Sequence, residues 1–471
     1  MNMARFVVML MILAGFLSAC GGSSGGGGST QAQACISGAG EQEVLSIMEQ
    51  WYFWNDEADQ ISKYSGLRST SSRFGSSGLD GFDDANDLLD YLRYRPSQFD
   101  RNFSYITTPA EEQAFFNEGE FAGYGFSLMR LGLSHEIRIT QVYANSPAAN
   151  AGLERGFSLL TINGRTIQQI DLAEGINEAL GPSNVGVSGT FTLLDRQGVE
   201  LPPVTMSKAT VDLDPVSIVS VLEDDMGNPI AGYIFFRTFI NTAVDDLRAA
   251  FVEFQQASVN DVIVDLRYNG GGLVAIAELL GSLLAGPGNV GNVFYGLEYN
   301  SQAAQFNFQS SFQSEPASID LDNIVFITTD GSASASELLI NGLSPYFDAP
   351  GKSLAVVGTP SYGKPVGQNA FDFCNDEHRL RAVTFKTVNV LGVGDYFSGL
   401  PVDCVVADDL SELLGDENEA SLAAALNYIE SGTCAGGTST VQQQAADLSD
   451  KVDRMRVLGG DKLWQQFANA Y

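Results

Sequence analysis

The sequence predicts an α/β protein of several modules (an α+β multidomain chain), and three changes of pattern along it predict that architecture. From about Val211 to Gly432, apolar runs of strand length alternate with helix-length segments, as in an α/β core. From about Gly123 to Met206, short alternating strands are punctuated by glycine turns. From Cys35 to about Ile106, apolar residues recur at helical spacing. A chain of 471 residues exceeds one ordinary domain, and 44% hydrophobic residues suffice for packed cores. The division expected is 1–19 leader, 20–34 tether, 35–108 helical module, 109–208 strand-rich module, 209–434 core and 435–471 a tail ending in a helix.

The first segment is a targeting signal. Arg5 is its positive flank, Phe6 to Phe16 its apolar run, and Leu17-Ser18-Ala19-Cys20 its close. The run is too short to span a bilayer. A cysteine directly after small residues resembles a bacterial lipobox. That resemblance implies cleavage before Cys20, lipidation of its sulfur, and a protein anchored in the cell envelope facing the periplasm. Gly21 to Ala34 reads as a flexible tether. Four cysteines remain, Cys35, Cys374, Cys404 and Cys434, and an exported chain with an even count suggests disulfides. Three pairings are open; Cys374 with Cys404 and Cys35 with Cys434 is the preferred one.

In the helical module, Val44, Ile47, Met48, Trp51 and Tyr52 share one face, and Ala85, Leu88, Leu89 and Leu92 another. The Ser/Gly-rich stretch Ser69 to Gly81 separates them as a loop. In the next module, Tyr124-Gly125-Phe126-Ser127-Leu128 reads as a strand, and Ile137 and Ile139 alternate in a second. Ser146 suits an N-cap, Pro147 a first helical position and Gly152 a C-cap. Asn163-Gly164 marks a hairpin turn, and Ile167 to Leu180 a helix.

In the core, the expected strands are Ile230 to Phe239, Val262 to Leu266, Ile324 to Thr328 and Leu354 to Val357. The helices are Ala243 to Phe254, Val274 to Leu284 and Ser336 to Leu343. Three motifs sit where strands end. Asp265-Leu266-Arg267-Tyr268-Asn269-Gly270-Gly271-Gly272 runs from a buried strand into glycines, whose N–H groups can approach a developing oxyanion. Gly331-Ser332-Ala333-Ser334-Ala335-Ser336-Glu337 opens a helix, where a serine is ordinarily a cap but small neighbours leave room for a substrate. Gly358-Thr359-Pro360-Ser361-Tyr362-Gly363-Lys364-Pro365-Val366-Gly367-Gln368 carries a lysine. Such a lysine is ordinarily a solvated charge, and becomes a base only when desolvated.

Together the three motifs, in this order, resemble the C-terminal processing (tail-specific) protease family of Ser/Lys serine peptidases. The resemblance implies a ClpP/crotonase-like α/β core with a PDZ domain and an N-terminal helical domain. It assigns Ser334 as nucleophile, Lys364 as general base and Gln368 as the residue orienting the lysine. The backbone N–H groups of Gly271 and Ala335 become the oxyanion hole. The string GYGFSL, SPAANAGLERG and LLTINGRTI resembles a PDZ domain, which captures a peptide C-terminus by strand addition. Tyr124, Gly125 and Phe126 would hold the terminal carboxylate. Two departures stand out: Phe157 replaces the usual Asp after a glycine, and the 30 residues from Ser334 to Lys364 slightly exceed the family's spacing. The extra length falls around Pro345 to Gly351, where a loop absorbs insertion at small cost. Leu414 through Leu426 resembles the family's closing helix.

Composition excludes other classes. Lys plus Arg total 25 against 57 Asp plus Glu, a net charge of -32, which opposes nucleic-acid binding. With only His135 and His378, a metal site or a His triad is not expected, and no cofactor is. The partners expected are polypeptide C-termini and a membrane, through the lipid; an adaptor protein or a homo-oligomer is left open. The competing readings are a catalytically silent PDZ scaffold and an acyl-transferring enzyme of the enoyl-CoA type. The latter accounts for neither the PDZ-like string nor Lys364.

Overall fold

The computed structural model describes residues 39–434, apart from 69–78, 80, 95, 97–98, 132–134 and 174, together with Cys35 and the backbone strand Val457–Leu458. Cys20 and the tether lie outside the described residues, as does the tail apart from that strand. The end of the tail, where a helix is expected, lies outside the described residues; Val457–Leu458 is extended and paired.

The core is a six-stranded sheet in which spatial order follows chain order: β1 (Val216–Glu223), β2 (Pro229–Phe236), β3 (Asp261–Asp265), β4 (Asn323–Thr328), β5 (Ser353–Gly358) and β6 (Cys404–Val405). The β1–β2 pair is antiparallel and every later pair parallel. Parallel strands need helical crossovers, so both faces are covered. The two-residue period of a strand is visible in where its residues pack. Val262, Val264, Ile324 and Phe326 join the core beneath α1 (Ala243–Ala257), α2 (Val274–Ala285) and α3 (Ala335–Leu343). Ile263, Val325 and Ile327 face the other way, onto Leu422 and Ala425 of α4 (Ala420–Ser431). All seven core elements expected from sequence are present, with ends moved by up to three residues. The closing helix starts six residues later than its resemblance implied, at Ala420, with Glu419 as its cap.

Among the described residues the helical module has three helices, Ala39–Trp51, Ala58–Arg68 and Ala85–Leu92. The last begins where Asp84 accepts hydrogen bonds from the N–H groups of Asn86 and Asp87. The middle helix has too few apolar residues for a periodic signal. The module shares one apolar cluster with the long hairpin Val366–Phe373/His378–Val388 of the core. That hairpin belongs to a second core sheet with Tyr105–Thr107, Val293–Tyr299 and Phe308–Ser311.

The strand-rich module is held on a two-stranded stem, Glu120–Gly123 with Ala209–Asp212. Its sheet contains Phe126–Arg130, Ile137–Val142, Ser158–Ile162, Ser188–Leu194 and Val204–Ser207. Ser146 Oγ accepts from the Ala149 N–H, Pro147 takes the first helical position, and Asn163 and Gly164 both have positive φ. The helix expected over Ile167 to Leu180 is split into Ile167–Asp171 and Ile176–Ala179. Gly175 at φ +86° breaks the intrahelical ladder that its apolar periodicity suggests.

The disulfides are Cys35–Cys374 and Cys404–Cys434, with Cα–Cα distances of 5.6 and 5.4 Å, so the preferred sequence pairing is overturned. The hairpin carries Cys374 to the helical module, whereas Cys404 on β6 lies against the end of α4. Cys404–Cys434 closes a loop of separation 30, for which loop entropy gives about 3–4 kcal/mol. Cys404→Ser with Cys434→Ser is expected to lower unfolding stability by that amount under oxidising conditions. Equal denaturation midpoints for variant and parent would contradict it.

Candidate active site

The three motifs meet at the carboxyl ends of adjacent parallel strands: β3 leads into Leu266–Gly272, β4 into Gly331–Ser334, and β5 into Thr359–Lys364. This edge is where open α/β sheets place ligands, because the loops there are free of the sheet's own ladder.

The serine turn distinguishes its three hydroxyls. Ser332 Oγ donates to Leu266 O at 2.7 Å, and Ser336 Oγ donates to Asn269 O at 2.9 Å. Both are structural ties to the glycine loop. Ser334 Oγ is buried and makes no hydrogen bond among the described residues. It does not cap α3. Instead the Ser334 backbone N–H donates to Glu337 Oε2 at 2.9 Å, so the carboxylate does part of the capping and leaves the hydroxyl unused. Ser334 also sits at φ 64°, ψ -116°, a costly conformation for a residue with a Cβ. Such outliers persist where the surroundings over-determine them.

Glu337 does more than cap. Its Oε2 also accepts from the Lys364 N–H at 2.7 Å, and its Oε1 accepts from the Gly363 N–H at 2.6 Å and Ser361 Oγ at 2.5 Å. One carboxylate therefore binds the serine turn to the lysine loop. The Ser334 and Lys364 backbone nitrogens can be no further apart than those two hydrogen bonds together. Burial raises the Glu337 pKa, and the four donors oppose that shift. Glu337 thus has a positional role, joining the two loops through its carboxylate.

Lys364 is fully buried. Burial pushes its pKa well below the ordinary 10.5, because the charged form loses its water, while Asp100 and Glu337 act in the opposite direction. Its Nζ donates to Gln368 Oε1 at 3.1 Å and lies 5.1 Å from the centre of the Phe103 ring. Gln368 Nε2 in turn donates to Phe103 O at 2.6 Å, which leaves the amide oxygen for the lysine. The lysine's surroundings thus come partly from the helical module. Asp100 orders that segment by accepting from the N–H groups of Phe103 and Ser104, and from Tyr52 and Ser104 hydroxyls. Arg101 Nη2 donates to Tyr362 O and Gly363 O at 2.9 and 2.5 Å, pinning the lysine loop from the same side. Sequence reasoning missed Asp100, Arg101 and Phe103. The local signal was an Asp three residues before Phe103, the spacing at which a capping side chain accepts a backbone N–H.

Of the expected oxyanion donors, Gly271 lies against the serine turn. A Cβ built on it would fall 2.7 Å from Ser334 Cβ and 2.8 Å from Ala335 N. Ala335 is the first residue of α3, where an N–H has no intrahelical acceptor. The Gly271 N–H donates to Asn269 Oδ1 at 2.9 Å, so in this structure it is engaged by its own loop. Tyr124 and Phe126 are buried and pack on Phe191, so that turn can offer a peptide its backbone and not these rings. Gly125 at φ +83° is required there, since a Cβ would overlap Ser146. The two histidines lie elsewhere: His135 meets Asp171 in the strand-rich module, and His378 lies against Phe373 in the hairpin.

The sequence profile of peptidase family S41 matches residues 230–394, which include the three motifs. The profile of the peptidase S41 N-terminal domain matches residues 41–105, which include Asp100 and Phe103. The chain is 28% identical over 255 residues to the carboxyl-terminal-processing protease of Synechocystis sp., covering 54% of this chain and 55% of that protein. It is 26% identical over 368 residues to a probable CtpA-like serine protease of Staphylococcus aureus, covering 78% and 64%. The matches therefore span between about half and just under two thirds of these relatives' lengths. Among solved structures, a putative S41 protease from Bacteroides fragilis has a TM-score of 0.61 at 24% identity, covering 83% of this chain and 97% of that one. The photosystem II D1 C-terminal processing protease has a TM-score of 0.50 at 18% identity, covering 84% and 97%. Both share the fold. Over residues 41–105 and 230–394, the segments that carry Asp100, Phe103 and the three motifs, the chain matches peptidase family S41.

Proposed function

We propose that the protein is a serine endopeptidase in which Ser334 is the nucleophile and Lys364 the general base. The observation that carries this reading is the division among the three serines. Two hydroxyls are tied to backbone carbonyls, and the third is unpartnered on a strained turn that Glu337 fastens to a desolvated lysine. Neutral Lys364 takes the Ser334 Oγ proton as the oxygen attacks the scissile carbonyl. The tetrahedral oxyanion is received by the Ala335 N–H and by the Gly271 N–H once Asn269 releases it. The C–N bond breaks as the lysine ammonium returns the proton to the leaving amine. Water, deprotonated by the same lysine, then hydrolyses the acyl-enzyme. Gln368 is a positioning residue for the lysine.

The substrates proposed are exported or misfolded polypeptides, selected at their C-termini by a PDZ-type use of the strand-rich module. The order of its elements, the positive-φ Gly125 and the adjoining strand Phe126–Arg130 support that use. A lipid on Cys20 would hold the enzyme in the cell envelope. A silent scaffold would require a missing nucleophile or base, and both are present in sequence. Mature protein incubated with an unfolded polypeptide ending in apolar residues should release fragments with new N-termini, identified by mass spectrometry. Intact substrate after prolonged incubation with wild-type protein from neutral to mildly alkaline pH would overturn the proposal.

A further inference from the structure

The strand-rich module's sheet has a sixth main strand that is not part of the module. Val457–Leu458, from beyond the core, pairs antiparallel with Phe126–Arg130, Val457 opposite Met129 and Leu458 opposite Leu128. The other side of Phe126–Arg130 is taken by Ile137–Val142. The added strand therefore covers what would otherwise be the sheet's edge, a row of backbone groups that recruits extended chains. We propose that the Val457–Leu458 segment is an intramolecular ligand of this module, occupying at rest the strand-addition groove that substrate termini must enter. The inference rests on the peptide-capturing role proposed for that module.

Three observations carry it. The first is direction. From Val457 to Leu458 the partner position moves from Met129 to Leu128, so the segment runs toward the Tyr124-Gly125-Phe126 turn. A terminus captured antiparallel to the same strand, with its carboxylate at that turn, has the same polarity. The second is reach. Cys434 is fastened to Cys404, and 22 residues separate it from Val457, a tether able to extend roughly 70 Å. The third is chemistry. The sequence continues past Leu458 with Gly459-Gly460, so Leu458 is held through the backbone ladder and has no terminal carboxylate of its own. A true C-terminus adds that charged contact, so it can displace the segment.

The expected magnitude follows from tethering. Linkage through the 22 intervening residues gives the segment an effective concentration on the order of millimolar. A segment binding about ten times tighter than that would leave about a tenth of the grooves open. Removing it should then tighten peptide binding about tenfold. The comparison uses the full mature chain carrying Ser334→Ala, the same chain stopped after residue 440, and the same chain carrying Val457→Pro with Leu458→Pro. The prolines remove the backbone donors without shortening the tether. Two quantities are read: amide exchange across Phe126–Arg130, and the affinity of a fluorescent peptide with an apolar free C-terminus. Both altered chains should exchange faster over that strand and bind the peptide about tenfold tighter. Unchanged exchange overturns docking of the segment. Faster exchange with unchanged, measurable affinity overturns its role as an occupant of the groove. Faster exchange with no peptide binding in any chain supports docking and instead refutes the module's proposed recognition of C-termini.

Discussion

Ser334→Ala and Lys364→Ala are each expected to lower turnover by a factor on the order of 10⁴ or more, and the double variant by no more than the worse single one. The reason is that the pair acts as a unit: a nucleophile without its base, or a base without its nucleophile, leaves only binding and oxyanion stabilisation. Ser334→Ala keeps the Cβ and the Glu337 cap to the backbone N–H, so the turn should retain its shape and the loss report chemistry. Lys364→Arg is expected to be inactive as well, because a guanidinium keeps the charge but cannot give up its proton in proteins. A lysine serving only as a fixed charge would tolerate that change, so substantial activity in Lys364→Arg would rule out the base. The pH profile is a further arm of the same test. The active form requires neutral Lys364, and raising the pH deprotonates it. In the parent, kcat/KM should therefore rise with pH along a limb whose midpoint lies well below 10.5, the direction in which burial moves this group. A limb centred at the ordinary lysine value would mean that the base is solvated in the working enzyme.

The parts of this site that were legible in the sequence are local ones. Gly331 to Glu337 reads as a helix start because cap, small residues and acid lie within one turn. The strand before it reads as buried because five of its six residues are apolar or β-branched without interruption. What turns Lys364 from a surface charge into a candidate base is not local. Its burial depends on Phe103 and Gln368, joined across more than 260 residues of sequence, and no periodicity encodes that contact. The disulfides failed for the same reason. Cys374 follows Phe373 in a hairpin whose partner strand begins at His378. Only the packing of that hairpin on the first helix brings Cys35 within reach. The broken helix after Ile167 shows the converse: apolar spacing continued through a glycine whose backbone conformation ends the element.

Arg267→Ala is expected to be the most destabilising single substitution in the core, by about 3–5 kcal/mol. The guanidinium is completely buried, and its donors are shared among three carboxylates. Nη2 lies 2.6 Å from Asp265 Oδ2, and Nη1 lies 2.7 Å from Glu419 Oε1 and 3.2 Å from Asp408 Oδ1. Removing the cation leaves buried negative groups facing one another. That costs far more than an exposed pair would contribute, because water cannot replace the lost partner. The cluster also bears on the site. Arg267 immediately precedes Tyr268, whose φ of 64° starts the Asn269–Gly271 loop, and the Tyr268 hydroxyl is bound by both Asp408 and Arg155. Arg155 belongs to the strand-rich module and also donates to Asp408 Oδ1 at 2.9 Å, so one ionic network joins that module, the end of the core and the loop expected to receive the oxyanion. Thermal unfolding should show the loss as a fall in Tm of roughly 5–10 °C. Arg267→Lys, which keeps the charge but cannot fork between carboxylates, should fall between parent and alanine variant. An alanine variant melting with the parent would mean that water or other donors meet the three carboxylates in the folded protein, and the loop would then need another anchor.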